Sequence, residues 1–474
     1  MRVVVGKGMI VPLALAQFIA SYAATNMNVA VSSIAKDLGT TVIGLQATIT
    51  LFTLTMASLM IPGSKLTAIW GRKRCFVIGL VIYGTGALLA AFAQGLGLMI
   101  IGYSLLEGIG SALMIPPIYI LVTVAFPDVR SRARNFGIVS GAAGLGAAAG
   151  PLIGGVITSA ISWRASFVVQ ILAVVCVIML TPRISDPGIT GARPSFDLPG
   201  AVLSAAGLFF VVFGILQSST YGWFAARENF SIGGVVLIPK GGVSPVWLFV
   251  AVGVVILAWF FWHVRTWQKA GKEPLLRTRL FGSRTANLGL GTQLIQWLIM
   301  QGAFFCVSIF LQKVRHYSAI ETGLALTPAT VGILVSSAAA ERFATRHSQR
   351  WLIWVGFVIT AVGMVLLLAL VRAHSSILTY VPGLLAMGVG TGTMLTASVN
   401  VVQSAFPEQD QDDISGLSRS ASNLGSSLGT ALAGSVLAAQ LLPGNKSFAL
   451  TMVMFVVVAL AGLVIALLLP RTTR

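Results

Sequence analysis

Apolar stretches long enough to cross a hydrocarbon core, which takes about 20 mostly apolar helical residues, recur along the whole chain between short polar or basic connections. The first half carries six, at Ile10–Ile34, Gln46–Lys65, Cys75–Gln94, Leu98–Val122, Asn135–Ala160 and Ser166–Thr181. Two follow, Leu198–Leu216 and Val246–His263, and then six again: Ala286–Leu311, Thr322–Ala340, Trp351–Val371, Ile377–Gln403, Ala421–Leu441 and Phe448–Leu469. The pattern predicts an all-α membrane protein of fourteen spans. Its expected parts are an N-terminal six-helix bundle over 1–182, two extra central spans with an outside loop over 183–265, a linker over 266–285 and a C-terminal six-helix bundle over 286–474. Within the outside loop, Phe230–Ile238 reads as a short hairpin.

Composition agrees with this pattern. Of 474 residues, 56% are hydrophobic and 9% charged, against roughly 25% charged in an ordinary soluble domain, which excludes a soluble globular enzyme. A mean hydropathy of +0.91 excludes a disordered chain. The net charge of +18 would suggest nucleic acid in a soluble protein. Here the basic residues sit in loops, and those on the side of both termini hold most of them, among them Arg72, Lys73, Arg74, Arg132, Arg134, Arg265, Lys269, Arg277, Arg279 and Arg284. Membrane lipid, not nucleic acid, is the implied surroundings, and the positive-inside rule puts both termini in the cytoplasm of a bacterial-type cell membrane. The first span begins near the start without a small-residue cleavage pattern and reads as retained.

Enzymatic chemistry has no visible basis. Cys75, Cys176 and Cys306 are isolated and read as packing residues, and none of the four histidines stands at metal-ligand spacing. No GxxxxGK[ST] phosphate loop occurs, so transport would draw on an ion gradient, a proton gradient in the leading reading, with no other cofactor.

Acidic residues are scarce, and all but Glu107 fall in loops or near span ends. Glu107 lies about ten residues into the fourth span, where an ionisable side chain costs about 2.5–3.5 kcal/mol and must face protein or a wet cavity. A carboxyl able to titrate there can bind a proton or a cationic solute, but not both, which makes it the proton-coupling candidate and a substrate-binding candidate. The plainer alternative is a permanently protonated carboxyl bonded to a neighbouring helix. Polar side chains also form helical stripes: Gln17, Ser21, Thr25 and Asn28 in the first span; Gln293, Gln296, Trp297, Met300 and Phe304 in the ninth; Met387, Thr391, Met394 and Ser398 in the twelfth. Lipid cannot solvate such faces, so they turn inward, either to line a pocket for amphipathic molecules or to bond helices together.

The fifth span is rich in small residues, with Gly146, Gly150 and Gly154 at four-residue spacing and Gly141 and Gly155 flanking them, and Pro151 should bend it. This Gly-Pro then Gly-Gly segment resembles the antiporter signature of the major facilitator superfamily. Gly71-Arg72-Lys73-Arg74 resembles the family's loop motif, Trp163-Arg164 the Trp-Arg step of its fourteen-span drug:proton antiporters, and Ser415-Gly416-Leu417 with Asn423–Gly429 their entry into span thirteen. The sequence departs from that pattern at Ala23 and Ala68, where the family usually has aspartates, and at Ser104, where it usually has arginine; Glu107 replaces a usual glutamine. The resemblance implies two bundles rocking about a midplane substrate site, with Gly71, Arg72, Lys73 and the fifth-span glycines and Pro151 as conformational elements. Proton-coupled efflux of amphipathic or cationic compounds by a monomer is the leading expectation. The alternatives are transport of a lipid or endogenous amphiphile, and a transport-inactive membrane sensor or scaffold.

Overall fold

The structure, a computed structural model, describes residues 8–126, 128–186, 195–232, 235–339, 342, 346–371, 375–407, 410–439 and 446–470. Long helices occupy all fourteen expected places: α1 (Ile10–Asp37), α2 (Val42–Trp70), α3 (Arg72–Ala91), α4 (Leu96–Ala125), α5 (Val129–Ala160), α6 (Trp163–Leu180), α7 (Leu198–Leu216), α8 (Pro245–Lys269), α9 (Arg284–Lys313), α10 (Ala319–Ala338), α11 (Gln349–Leu370), α12 (Val381–Ser404), α13 (Gln411–Ala439) and α14 (Lys446–Leu468). Among the described residues, eleven helices are long and apolar enough to cross a membrane, or up to twelve if the bent α5 counts as one span. The fourteen helices thus yield fewer spans by that measure. The expected hairpin is present as antiparallel β1 (Phe230–Ile232) and β2 (Val235–Ile238).

Helix starts follow local capping chemistry. Side-chain oxygens of Thr41, Asp128, Ser162, Asp197, Ser244, Ser283 and Ser348 accept first-turn amide protons of their helices, and Ser318 with Glu321 forms a complete capping box on α10. Buried Asp197 also accepts from the Leu275 amide (3.0 Å) and pairs with His263 (2.9 Å), tying α7, α8 and the linker together. At Gly71 the chain turns between α2 and α3 with φ of +98°, which only glycine adopts without strain.

Packing sorts the helices by solvent. α4 and α12 are buried on most sides, whereas α6, α8 and α14 expose large apolar side chains such as Met179, Trp262 and Val457, as a lipid-facing surface requires. Cys75 and Cys306 are buried, but Cys176 is exposed on α6, so its reading as an interior packing residue is corrected. Pairs α3–α4 and α11–α12 approach to backbone contact through glycines: a Cβ at Gly86 would meet the Gly102 carbonyl at 2.6 Å, and one at Gly356 the Gly390 carbonyl at 2.8 Å. α5 bends by 43° between Arg134–Ala147 and Leu152–Ala160, at the Gly150-Pro151 step.

Helices α5 and α13 join the two halves. α5 lays Gly146, Gly150 and Gly154 on α1 and turns Gly141, Gly144 and Gly155 to α10; α13 lays Gly425 and Gly429 on α9 and turns Gly416 to α2. The two joints are related by the same eight-helix offset that relates the α3–α4 and α11–α12 pairs.

Candidate functional site

At Glu107 the helix itself changes. α4 winds as a π-helix over Ile100–Glu107 before resuming α geometry at Gly108, a local widening that is frequent at functional sites and that apolar periodicity gave no sign of. Glu107 is fully buried, and neither carboxyl oxygen has a hydrogen-bond partner. Its surroundings belong to the N-terminal bundle. Tyr83 of α3 and Tyr103 of α4 lie in electrostatic contact with it. The Tyr83 hydroxyl donates to Gln170 of α6 at 2.5 Å, Tyr103 donates to the Ala23 carbonyl of α1 at 3.0 Å, and Tyr22 pairs with Ser166 at 2.8 Å. Ser104, in the place of the expected arginine, donates to the Thr48 carbonyl at 2.7 Å. These groups form a buried polar cluster between α1, α2, α3, α4 and α6.

The α1 stripe makes different contacts. Gln17 is buried and donates weakly to Ser21 (3.4 Å), and Thr25 bonds back to the carbonyls of Ser21 and Tyr22. Ser21 and Thr25 lie where Gly146 and Gly150 come closest: a Cβ at Gly150 would overlap Thr25 Oγ1, and one at Gly146 would meet Ser21 Cβ at 3.1 Å. They pack α1 on α5. The side chains of Asn28 and Pro151 lie outside the described residues.

On the C-terminal side the ninth-span stripe comes together. Trp297 and Phe304 pack on a small cluster of Met300, Ile333 and Leu395, and Ile333 reaches Gly144 of α5 in the other half. Gln293 accepts from Ser418 of α13 (2.7 Å) and Gln296 from Ser398 of α12 (2.8 Å), while the amide nitrogen of each has no partner. Met387 and Met394 do not join them. Both pack on α11, against Gly363 and Gly356, inside the C-terminal core. They share that core with Leu298, Ile299 and Ala303 of α9, and Phe304 packs on both clusters, so the structure places the two methionines beside, not within, the Met300–Ile333–Leu395 group.

The basic end of the bundles is closed by contacts that the sequence analysis missed. Lys65 of α2 pairs with Asp413 of α13 at 3.3 Å, both nearly inaccessible. Arg132 of α5 donates to Asn400 of α12 (3.1 Å), Arg419 of α13 stacks over Tyr119 of α4 (4.0 Å), and Ser415 donates to the Pro116 carbonyl (3.2 Å). Lys73 anchors the α2–α3 turn by bonding Asp186 through its amide and the Ile184 carbonyl through Nζ, and Arg72 beside it is buried. At the opposite end Trp163 and Arg164 both hold the Asp37 carboxylate, pinning α1 to α6. Lys65 in an apolar run and Gln170 in the middle of a span were the available signals.

Two packed helical halves around buried polar clusters, with lipid-facing apolar flanks, define an integral membrane transporter. A model described as Major Facilitator Superfamily matches residues 13–292, 230–429 and 289–474, and the chain belongs to that family. It is 27% identical over 87% of its length to the probable actinorhodin transporter of Streptomyces coelicolor, covering 69% of that protein. It is 28% identical over 90% to the puromycin resistance protein pur8 of Streptomyces alboniger, covering 81%, and 28% over 88% to the cephamycin export protein CmcT of Amycolatopsis lactamdurans, covering 82%. The human organic anion transporter MFSD10 has a similar fold, with a TM-score of 0.66 at 11% identity over 97% of this chain and 99% of that one.

Proposed function

We propose that the chain is a proton-coupled exporter of amphipathic organic compounds, belonging to the fourteen-span antiporter branch and acting as a monomer in a bacterial-type cytoplasmic membrane with both termini inside. Drug and antibiotic export is supported by the names of its relatives, and the branch by helices at all fourteen places. The observation that supports proton coupling is Glu107: a carboxyl fully buried inside a transmembrane bundle, with no cation paired to it among the described residues and Tyr83 as its nearest polar neighbour, is costly to keep there and is a functional group by default. Because its neighbours are Tyr83 and Tyr103, not the Trp297–Met300–Phe304 cluster, the proton and the transported compound occupy separate sites. Gln293, Gln296, Trp297, Met300 and Phe304 line the compound's site, and the α5 glycines that face α10, Gly141, Gly144 and Gly155, are the surface on which the halves move. With the basic end cytoplasmic, the contacts across Lys65 and Asp413 hold an inward-closed state.

The test is uptake of a fluorescent lipophilic cation into inside-out vesicles under an imposed proton gradient. Gradient-driven accumulation that Glu107→Gln abolishes, with the variant normally folded, is the expected result. Accumulation by that variant with unchanged pH dependence would remove Glu107 from the mechanism.

A further inference from the structure

The carboxyl of Glu107 has a hydrogen-bond donor beside it that is committed elsewhere. Gly86 of α3 lets that helix reach the Glu107 amide, where a Cβ would come within 2.8 Å, and Gly110, one turn past Glu107, lies equally close to the Tyr83 amide (2.6 Å). The Tyr83 side chain is thereby set against the carboxyl. Its proton nonetheless goes to Gln170 Oε1, and its other contact, the Ile19 carbonyl, is at 3.5 Å. The Gln170 amide nitrogen and both Glu107 oxygens are left without partners, in a place where all of these side chains are essentially inaccessible.

A phenol has one proton to donate. A neutral carboxyl carries one O–H donor of its own, whereas a carboxylate can only accept, and hydrogen bonds to charged groups are the strong ones, so a carboxylate loses more than a neutral carboxyl while the Tyr83 proton is committed elsewhere. Of the two forms, the neutral one forfeits less in this arrangement.

We infer that Tyr83 and Gln170 are positioning residues for Glu107: Gln170 holds the Tyr83 proton while Glu107 is neutral and gives it up to the carboxylate when Glu107 releases its own. No covalent bond changes except the O–H bond of the carboxyl; the Tyr83 hydroxyl turns from Gln170 to Glu107. The inference rests on the proposed role of Glu107 and adds what sets the pH of exchange. The other titratable group facing the carboxyl is Tyr103 of α4, and Tyr22 of α1 lies beside Tyr83. Both are engaged, Tyr22 with Ser166 and Tyr103 with the Ala23 carbonyl. Toward this place α2 presents Phe52 and Thr55 and α6 presents Ser166 and Gln170, none of them titratable.

The two residues therefore act with opposite sign, which a merely structural role does not produce. The experiment is an infrared pH titration of the purified protein in lipid nanodiscs, following the protonated carboxyl band that disappears in Glu107→Gln. Tyr83→Phe removes the donor the carboxylate needs, and the midpoint should rise by about one pH unit. Gln170→Leu frees the Tyr83 proton for the carboxylate, and the midpoint should fall by about as much. If the leucine variant does not fold, Gln170→Met removes the amide at nearly constant shape and carries the same expectation. Midpoints unmoved, or moved in the same direction, would overturn the inference while leaving Glu107 as the proton site. A carboxyl band unchanged across pH would overturn the proton reading itself, and the inference with it.

Discussion

Removing one partner of the Lys65–Asp413 pair should open the basic end. The pair spans the two halves at 3.3 Å, with side-chain exposures of 4% and 5%, so neither charge is hydrated while the ends are closed. Truncating one member of such a pair costs about 3–5 kcal/mol because the other is left buried and uncompensated. Asp413→Asn does this to Lys65, and the cost falls on the closed arrangement alone, since separation of the ends returns Lys65 to water. Taking the lower figure, for a pair at the end of its helices, the ratio of open to closed molecules rises by about 100-fold. Arg132–Asn400 and Arg419–Tyr119 remain in place and make this an upper bound. The readout is maleimide labelling of Ser64→Cys, which faces Gly416 across the seam, in a background with Cys75, Cys176 and Cys306 replaced by alanine. Labelling should accelerate in Asp413→Asn and return toward the parent rate when Lys65→Met is added, because no charge is then stranded. A rate unchanged in folded Asp413→Asn protein refutes the argument that the pair holds the ends together.

Further predictions follow from packing and charge. Gly146→Ala would put a Cβ 2.3 Å from the Phe18 carbonyl oxygen and should cost about 1–3 kcal/mol in thermal unfolding, whereas Gly141→Ala, with its nearest atom at 3.6 Å, should be close to neutral. Met387→Ala should lower stability by about 2–5 kcal/mol without changing the pattern of compounds exported, and Trp297→Ala should do the reverse; a changed export pattern in the methionine variant would contradict its placement against α11. The Arg164 guanidinium, then the Trp163 ring N–H, holds the Asp37 carboxyl below the ordinary carboxylate range. Its contribution is therefore complete above about pH 4 and is lost as pH falls through the lower folded value. Asp37→Asn should be less stable at neutral pH and flatter on the acid side, and parallel acid curves for parent and variant would remove this anchor from the account.

The helices were legible in the sequence because a bilayer demands long apolar runs and the runs are separated by basic turns and capping serines. The bend at Gly150-Pro151 and the Phe230–Ile238 hairpin were legible for equally local reasons. What local pattern could not supply was the direction in which each polar face points. Gln293, Gln296, Met387 and Met394 all lie on helical stripes, yet small residues on neighbouring helices decide their fates: Gly356 and Gly363 take the methionines, while Ser418 and Ser398 meet the glutamines. The same limit hid the Tyr83–Gln170 bond, which joins spans far apart in sequence. Glu107 could be singled out because an acid in a span is rare; its π-helical turn depends on tertiary packing and left no pattern.

If the proton and the exported compound bind apart, as proposed, the two places need a physical connection, and α1 with α5 supplies a packed one. On one side of α1 the Ala23 carbonyl accepts from Tyr103, next to Glu107. On another, Phe18, Ser21, Thr25 and Asn26 fit the glycines of α5, whose Gly144 touches Ile333 of the Trp297–Met300–Leu395 cluster. Close packing without voids transmits a rigid displacement of α1 but not a diffuse one, so the joint at Gly144 should be sensitive to a single carbon. A Cβ there would lie 2.8 Å from Ile333 Cγ2, and Gly144→Ala must push Ile333 into the cluster or α5 away from it. Couplings between sites amount to about 5–150-fold in affinity, so the Kd of a transported compound should differ between acid and alkaline pH by that order in the parent and by much less in the variant. Gly141→Ala, on the same face of α5 but in ordinary contact with Ser337, should keep the parent ratio. An equal pH dependence in Gly144→Ala and the parent would mean that the two sites communicate by another route.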